Sequence, residues 1–212
     1  MASPGPKTMP LTGGATQKKA VVFEANGGKE LRLSGETGIW IFVVGDLAVF
    51  TLFFILIMLG QREETAAFAT SRAMLNVGAG VLNTLFLLTG SWFVAMGVER
   101  YRSGHLAKAR RDLDFAILCG LAFIANKCSE WASKISAGLS PATDNFFMYF
   151  FIITGIHLFH VILGVGVLLY MRALTKHDSV SSLDVLKLES GGLFWHLVDL
   201  LWIVLFALFY LL

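Results

Sequence analysis

The sequence has 212 residues, of which 56% are hydrophobic and only 15% are charged. A soluble globular domain carries about 25% charged residues, so the composition argues against that class. The charges are concentrated in short stretches between apolar runs of about 18 residues or more, which is typical of membrane-spanning helices. The formal net charge of +2 therefore says little about nucleic-acid binding.

The chain begins with a polar segment, residues 1–37, that is rich in glycine, proline and lysine. This segment has no long apolar core followed by a small-residue cleavage site, so the pattern does not predict a signal peptide. A segment of such low hydrophobicity cannot bury enough apolar surface to fold alone. We therefore expect a disordered or extended polar tail.

Five apolar segments follow, and each is long enough to cross a hydrocarbon core ~30 Å thick. They comprise residues 38–60, 76–98, 113–135, 145–171 and 193–212. The connections between them are too short to hold another domain. The sequence therefore predicts an all-α fold, residues 38–212, in which five transmembrane helices form one bundle.

Lysine and arginine indicate the orientation, because they are enriched in cytoplasmic loops. The opposite side of the predicted bundle carries only Arg62, Arg72 and Lys134, and Lys127 lies within the third span. The other 13 of the 17 basic residues lie on the N-terminal side: Lys7, Lys18, Lys19, Lys29, Arg32, Arg100, Arg102, Lys108, Arg110, Arg111, Arg172, Lys176 and Lys187. We expect a multi-pass protein of the inner (cytoplasmic) membrane, with its N-terminus cytoplasmic and its C-terminus outside.

The third span carries a charged cluster formed by Lys127, Glu130 and Lys134. Their spacings of three and four residues place them on one helix face. Because this span is predicted to run outward, the cluster should lie near the outer surface. The simplest interpretation is an interfacial ion pair with lysines that extend toward the headgroups, and a functional role is the alternative.

Other ionisable residues should lie in the inner half of the bilayer. A charged group in hydrocarbon costs at least ~2.5 kcal/mol, so each such residue needs a partner or a function. His157 and His160 share one helix face, and His196 and Asp199 share another. If these faces meet, they form one buried polar cluster with Asp46.

Three interpretations of that cluster stay open from the residues alone. It could join helices through hydrogen bonds worth ~0.6 to 2 kcal/mol each, relay protons, or bind iron, copper or zinc. The structural role is favoured. The other two would make the chain a self-contained metal or haem redox protein, or a small proton-coupled transporter built around Asp46 and Asp199.

Four stretches of the sequence resemble, in order, motifs of subunit III of the haem-copper oxidases. They are GIWIFVVGDLAVFTLFF at 38–54, FIANKCSEWASKISAGL at 123–139, ITGIHLFHVILG at 153–164 and FWHLVDLLWIVLFALFYLL at 194–212. The length resembles the short, five-span form found in quinol oxidases and in accessory proteins of nitric oxide reductases. The residues of the third motif favour the branch associated with nitric oxide reductases.

The resemblance implies a subunit without a catalytic centre of its own, within an oxidoreductase complex of the cytochrome c oxidase, quinol oxidase or nitric oxide reductase type. Such a subunit packs against catalytic subunit I, binds phospholipid, and supports proton uptake and electron-transport turnover, while haem and copper lie in partner subunits. Asp46 stands where the family usually has a buried glutamate, with a side chain one methylene shorter. The remaining matched positions are Glu130, His157, His160, His196 and Asp199.

Overall fold

A computed structural model describes residues 37–176 and 180–212, and within these ranges the chain contains helices and connecting segments but no strand. The all-α prediction is therefore confirmed. The predicted tail lies outside the described residues except for Thr37. The helices are α1 Thr37–Glu63, α2 Thr65–Ala73, α3 Val77–Arg102, α4 Leu106–Ser136, α5 Asn145–Leu174 and α6 Ser182–Phe206, and a π-helical turn, Ala207–Leu211, continues α6.

Four described helical stretches are long and apolar enough to cross a membrane, and they match the first, second, fourth and fifth predicted spans. They are Gly38–Glu63, Val77–Arg102, Asn145–Leu174 and Ser182–Leu211. The third predicted span, residues 113–135, lies within α4. There Asn126, Lys127 and Glu130 interrupt the apolar stretch and reduce its hydropathy. A fifth span at α4, and the orientation of the bundle, stay predictions.

Capping side chains and glycines determine where the helices begin and end. The Asn76 side chain accepts a hydrogen bond from the backbone N–H of Ala79 at the start of α3, and Asp144 does the same for Phe147 at the start of α5. Such caps satisfy N–H groups that have no partner within the helix. After α4, Gly138 has a φ of 81°, a left-handed conformation that glycine adopts without steric cost and that suits a chain reversal.

Small residues allow the central helices to approach closely. A Cβ atom added to Gly120 of α4 would lie 2.7 Å from Val165 of α5 and 2.9 Å from Trp195 of α6. A Cβ atom on Gly90 of α3 would lie 3.2 Å from Cys119 of α4. Membrane helices use small residues for such contacts. Helix α4 is thus packed into the bundle between α3, α5 and α6.

Helix α1 lies at the edge of the bundle and exposes much of its apolar surface. Ile41 is 73% exposed and Val44 is 63% exposed, whereas Phe50 is fully buried against the other helices. In water such a surface would be unfavourable. It is suited to contact lipid or a partner protein.

Candidate functional site

Lys127 of α4 is buried in the bundle core with no exposed surface. Its Nζ donates to Glu130 Oε2 at 2.9 Å and to the Tyr210 hydroxyl at 3.0 Å. The Tyr210 hydroxyl in turn donates to Glu130, at 2.7 Å from Oε1. We call these three side chains the Lys127 triangle. It joins α4 to the π-helical turn that follows α6.

Aromatic rings surround the ammonium group of Lys127. Its Nζ lies 4.5 Å from the ring centroid of Phe150 on α5 and 5.1 Å from that of Trp202 on α6. The faces of aromatic rings attract cations, most strongly where water is excluded. The ammonium group is therefore in contact with a carboxylate, a hydroxyl group and aromatic rings of two neighbouring helices.

Lys134, the third member of the predicted charged cluster, does not join the triangle. Its Nζ donates to the backbone carbonyl of Met74, just after α2. Tyr210 completes the network instead, and sequence reasoning missed it because it lies in an otherwise apolar segment 80 residues beyond Glu130. One signal could have found it: α4 and α6 run in the same direction, so their C-terminal ends meet at one end of the bundle.

Asp46 of α1 and His160 of α5 form a second contact, with Asp46 Oδ1 3.2 Å from His160 Nε2. The other ring nitrogen, Nδ1, lies 2.8 Å from the Ile156 carbonyl oxygen. A carbonyl only accepts, so Nδ1 carries a proton. If Nε2 carried no proton beside an ionised carboxylate, two hydrogen-bond acceptors, Nε2 and Oδ1, would face each other. A hydrogen bond between Asp46 Oδ1 and His160 Nε2 therefore requires a proton on one of these two atoms.

His157 is fully buried between two aromatic side chains. Its ring centroid lies 5.4 Å from that of Trp202 on α6 and 5.8 Å from that of Phe123 on α4. Neither ring nitrogen has a hydrogen-bond partner among the described residues. His160 and Lys127 are both near enough to act on it electrostatically. His157 thus lies between the Asp46–His160 pair and the Lys127 triangle.

His196 and Asp199 of α6 face α3 rather than α5. His196 Nδ1 lies 2.5 Å from the Ser91 hydroxyl, which also interacts with the Asp199 carboxyl group. Neither α6 residue is hydrogen-bonded to His157 or His160, so the pairing expected between the two predicted faces is replaced by separate contacts. The expected pairing is absent because α6 is rotated so that this face points toward α3. The two histidines of α5 point instead toward α1 and the core.

The five residues of the predicted polar cluster therefore occupy three places. Within residues 37–176 and 180–212, no group of three or more histidine, cysteine, aspartate or glutamate side chains is arranged to hold a metal ion. Further polar contacts join helices nearby, such as Asn126 to Asn83 at 2.9 Å and Trp202 Nε1 to the Thr84 hydroxyl at 3.0 Å. This arrangement can fasten helices together and can hold a proton at Asp46 and His160.

The fold and these contacts define a helical membrane protein in which polar side chains connect the helices of one bundle. Residues 23–212 match the sequence model of the family described as cytochrome c oxidase subunit III. The chain belongs to that family.

Curated relatives extend this match. The chain is 26% identical over 175 residues to a probable quinol oxidase subunit 3 from Staphylococcus haemolyticus, covering 82% of this chain and 87% of the relative. It is 28% identical over 178 residues to quinol oxidase subunit 3 from Bacillus spizizenii, covering 82% and 85%. It is also 24% identical over 181 residues to a heme-copper oxidase subunit I+III from Aeropyrum pernix, covering 82% of this chain and 22% of that longer relative.

Proposed function

We propose that this chain is the third subunit of a haem-copper quinol oxidase, an accessory component that packs beside catalytic subunit I and carries no redox centre itself. The observation that carries the proposal is the similarity to the Aeropyrum pernix relative, whose name assigns subunits I and III to one polypeptide. In that relative, subunits I and III are segments of one polypeptide and therefore belong to one complex. The relatives named quinol oxidase subunit 3 favour an oxidase over a nitric oxide reductase.

The proposed membrane arrangement has five spans, with α4 as the third. Helix α4 has 31 residues, which at ~1.5 Å per residue exceeds a hydrocarbon thickness of ~30 Å. Its two buried charges neutralise each other within the Lys127 triangle, which lowers the cost of placing them in the bilayer. The basic residues of the loops support a cytoplasmic N-terminus in the inner membrane.

Two roles follow for this subunit. The contacts between helices stabilise the bundle as a rigid support for subunit I. The Asp46–His160 pair supports proton uptake during turnover, because buried carboxylates and histidines carry protons in membrane proteins. The exposed apolar side chains of α1, including Ile41 and Val44, are the surface on which we expect phospholipid chains to bind.

Purification of the tagged chain from its native membranes in mild detergent tests the proposal. We expect a haem- and copper-containing partner to co-elute in a fixed ratio, and the eluate to consume oxygen with a quinol as donor. An unrelated tagged multi-pass protein from the same membranes is the control. A chain that elutes without a haem protein would contradict the proposal, and an eluate that reduces nitric oxide but not oxygen would assign it to a reductase.

A further inference from the structure

One side of α6 is exposed along its length. The exposed residues recur at the spacing of one helix face, and most are apolar: His196, Leu200, Ile203, Val204 and Leu211. Leu88, three residues before Ser91 on α3, is exposed beside them. An apolar surface of this kind is suited to contact the membrane interior. The polar ring of His196 is not.

His196 lies near the middle of its helix. At ~1.5 Å per residue it is about 21 Å from Ser182 and about 22 Å from Leu211. Lysine and arginine can extend a charged end to the membrane surface over part of such a distance. The short side chain of His196 cannot reach the membrane surface. Its exposed ring therefore meets the hydrocarbon region, where water is absent and unpaired polar atoms are costly, whereas Asp199 is buried in the bundle.

The hydrogen bonds in this place are incomplete. The Ser91 hydroxyl has one proton to donate, and it faces both His196 Nδ1 and the Asp199 carboxyl group. Asp199 Oδ1 is buried without a partner among the described residues. The ring of His196 is exposed, and its only hydrogen bond within the described ranges is the one between Nδ1 and Ser91. The contact with α3 therefore leaves one exposed ring nitrogen for a neighbouring molecule.

We propose that this surface, the α3–α6 face formed by the exposed residues Leu88, His196 and Leu200, docks a transmembrane helix of the catalytic subunit. That helix presents a side chain that can form hydrogen bonds at the depth of His196. The inference rests on the proposed function. Lipid chains offer no donor or acceptor, whereas an apolar helix with one polar residue matches both the apolar margin and the polar centre of the face.

Photocrosslinking in the assembled complex tests the location of the contact. A benzophenone amino acid replaces Leu200 or Leu88 on the α3–α6 face, and Phe159 of α5 or Leu118 of α4 in the controls, which are also exposed. We expect the haem-containing subunit to be crosslinked from the two face positions at least about tenfold more strongly than from the controls. Equal or stronger crosslinking from the controls would overturn the inference, as would crosslinks from the face only to lipid or to a second copy of this chain.

Substitution tests the chemistry of the contact. His196→Leu or His196→Phe should lower the amount of haem protein recovered with the chain by roughly tenfold, which corresponds to ~1.4 kcal/mol. Thr51→Val, which removes another exposed polar group from an apolar helix, should leave recovery unchanged. Recovery unchanged in all three variants would overturn the polar part of the inference. Failure of the unaltered chain to capture any haem protein would instead refute the proposed function.

Discussion

Replacing Glu130 by glutamine should destabilise the bundle by ~3 to 5 kcal/mol, because it leaves a buried ammonium group without its counter-charge. The structure supports the upper part of that range. Lys127 has no exposed surface through which water could reach it. The Tyr210 hydroxyl also donates to Glu130 at 2.7 Å, so the substitution disturbs two partners at once.

Removal of the whole Lys127 triangle should be far less destabilising than removal of the Glu130 charge alone. A variant with Lys127→Met, Glu130→Leu and Tyr210→Phe replaces all three polar groups by apolar ones of similar size. Replacement of a buried ionic triad by packed apolar residues is often neutral or stabilising by ~1 to 4 kcal/mol. The triple variant should therefore be much more stable than Glu130→Gln alone.

Unfolding by sodium dodecyl sulfate in mixed micelles, followed by tryptophan fluorescence, measures both effects, since Trp202 lies directly beside Lys127. Asp184→Asn is a matched control, because Asp184 pairs with Lys187 at the same spacing of three residues but on the surface, and it should have little effect. A triple variant as unstable as Glu130→Gln would refute the argument that the stranded charge is the cause.

Three further substitutions test the Asp46–His160 contact, the close packing at Gly120 and the hydrogen bond of Lys134. Asp46→Asn should leave assembly intact, measured by haem recovery, but should reduce oxygen consumption over many turnovers, because an amide cannot take up and release a proton as a carboxyl group can; unchanged turnover would contradict the proton role. Gly120→Val should destabilise the bundle by ~1 to 3 kcal/mol through overpacking against Trp195, and unfolding in mixed micelles measures it against Gly166→Val, where open space surrounds the glycine. Lys134→Met removes only the bond to the Met74 carbonyl and should cost no more than about 1.5 kcal/mol in the same assay.

The long apolar runs made much of the fold predictable. A run that exceeds the membrane thickness must satisfy its backbone polar groups internally, and a helix does so. Four of the five predicted segments therefore correspond to α1, α3, α5 and α6 with its terminal turn, and the third lies within α4. The sequence did not predict α2, Thr65–Ala73, because nine mixed residues between two spans carry neither the length nor the hydropathy on which the prediction depended.

The contacts between helices were less predictable than the helices. Residue spacing gives the depth of a side chain along its own helix and the residues that lie near it on that helix. It does not give the rotation of one helix relative to another. His157 and His196 thus lie on different sides of α6, although depth alone allowed them to meet. Tyr210 was missed for the same reason, since its partner Glu130 is distant in sequence and only tertiary packing brings them together.

The Lys127 triangle and the α3–α6 face differ in whether their polar atoms are paired within the chain. This difference predicts a different role for each. The Lys127 triangle is closed: each charged atom in it has a partner within the chain. The α3–α6 face is open, because the ring of His196 is exposed and its hydrogen bond in the described part of the chain is at Nδ1 alone. A closed network contributes to the stability of the isolated subunit, whereas an open one gains its missing hydrogen bond only on assembly. Tyr210→Phe should therefore lower the stability of the chain without changing the recovery of its partner, and His196→Leu should do the reverse. If both variants changed only the stability of the isolated chain, the distinction between a closed core network and an open docking face would fail.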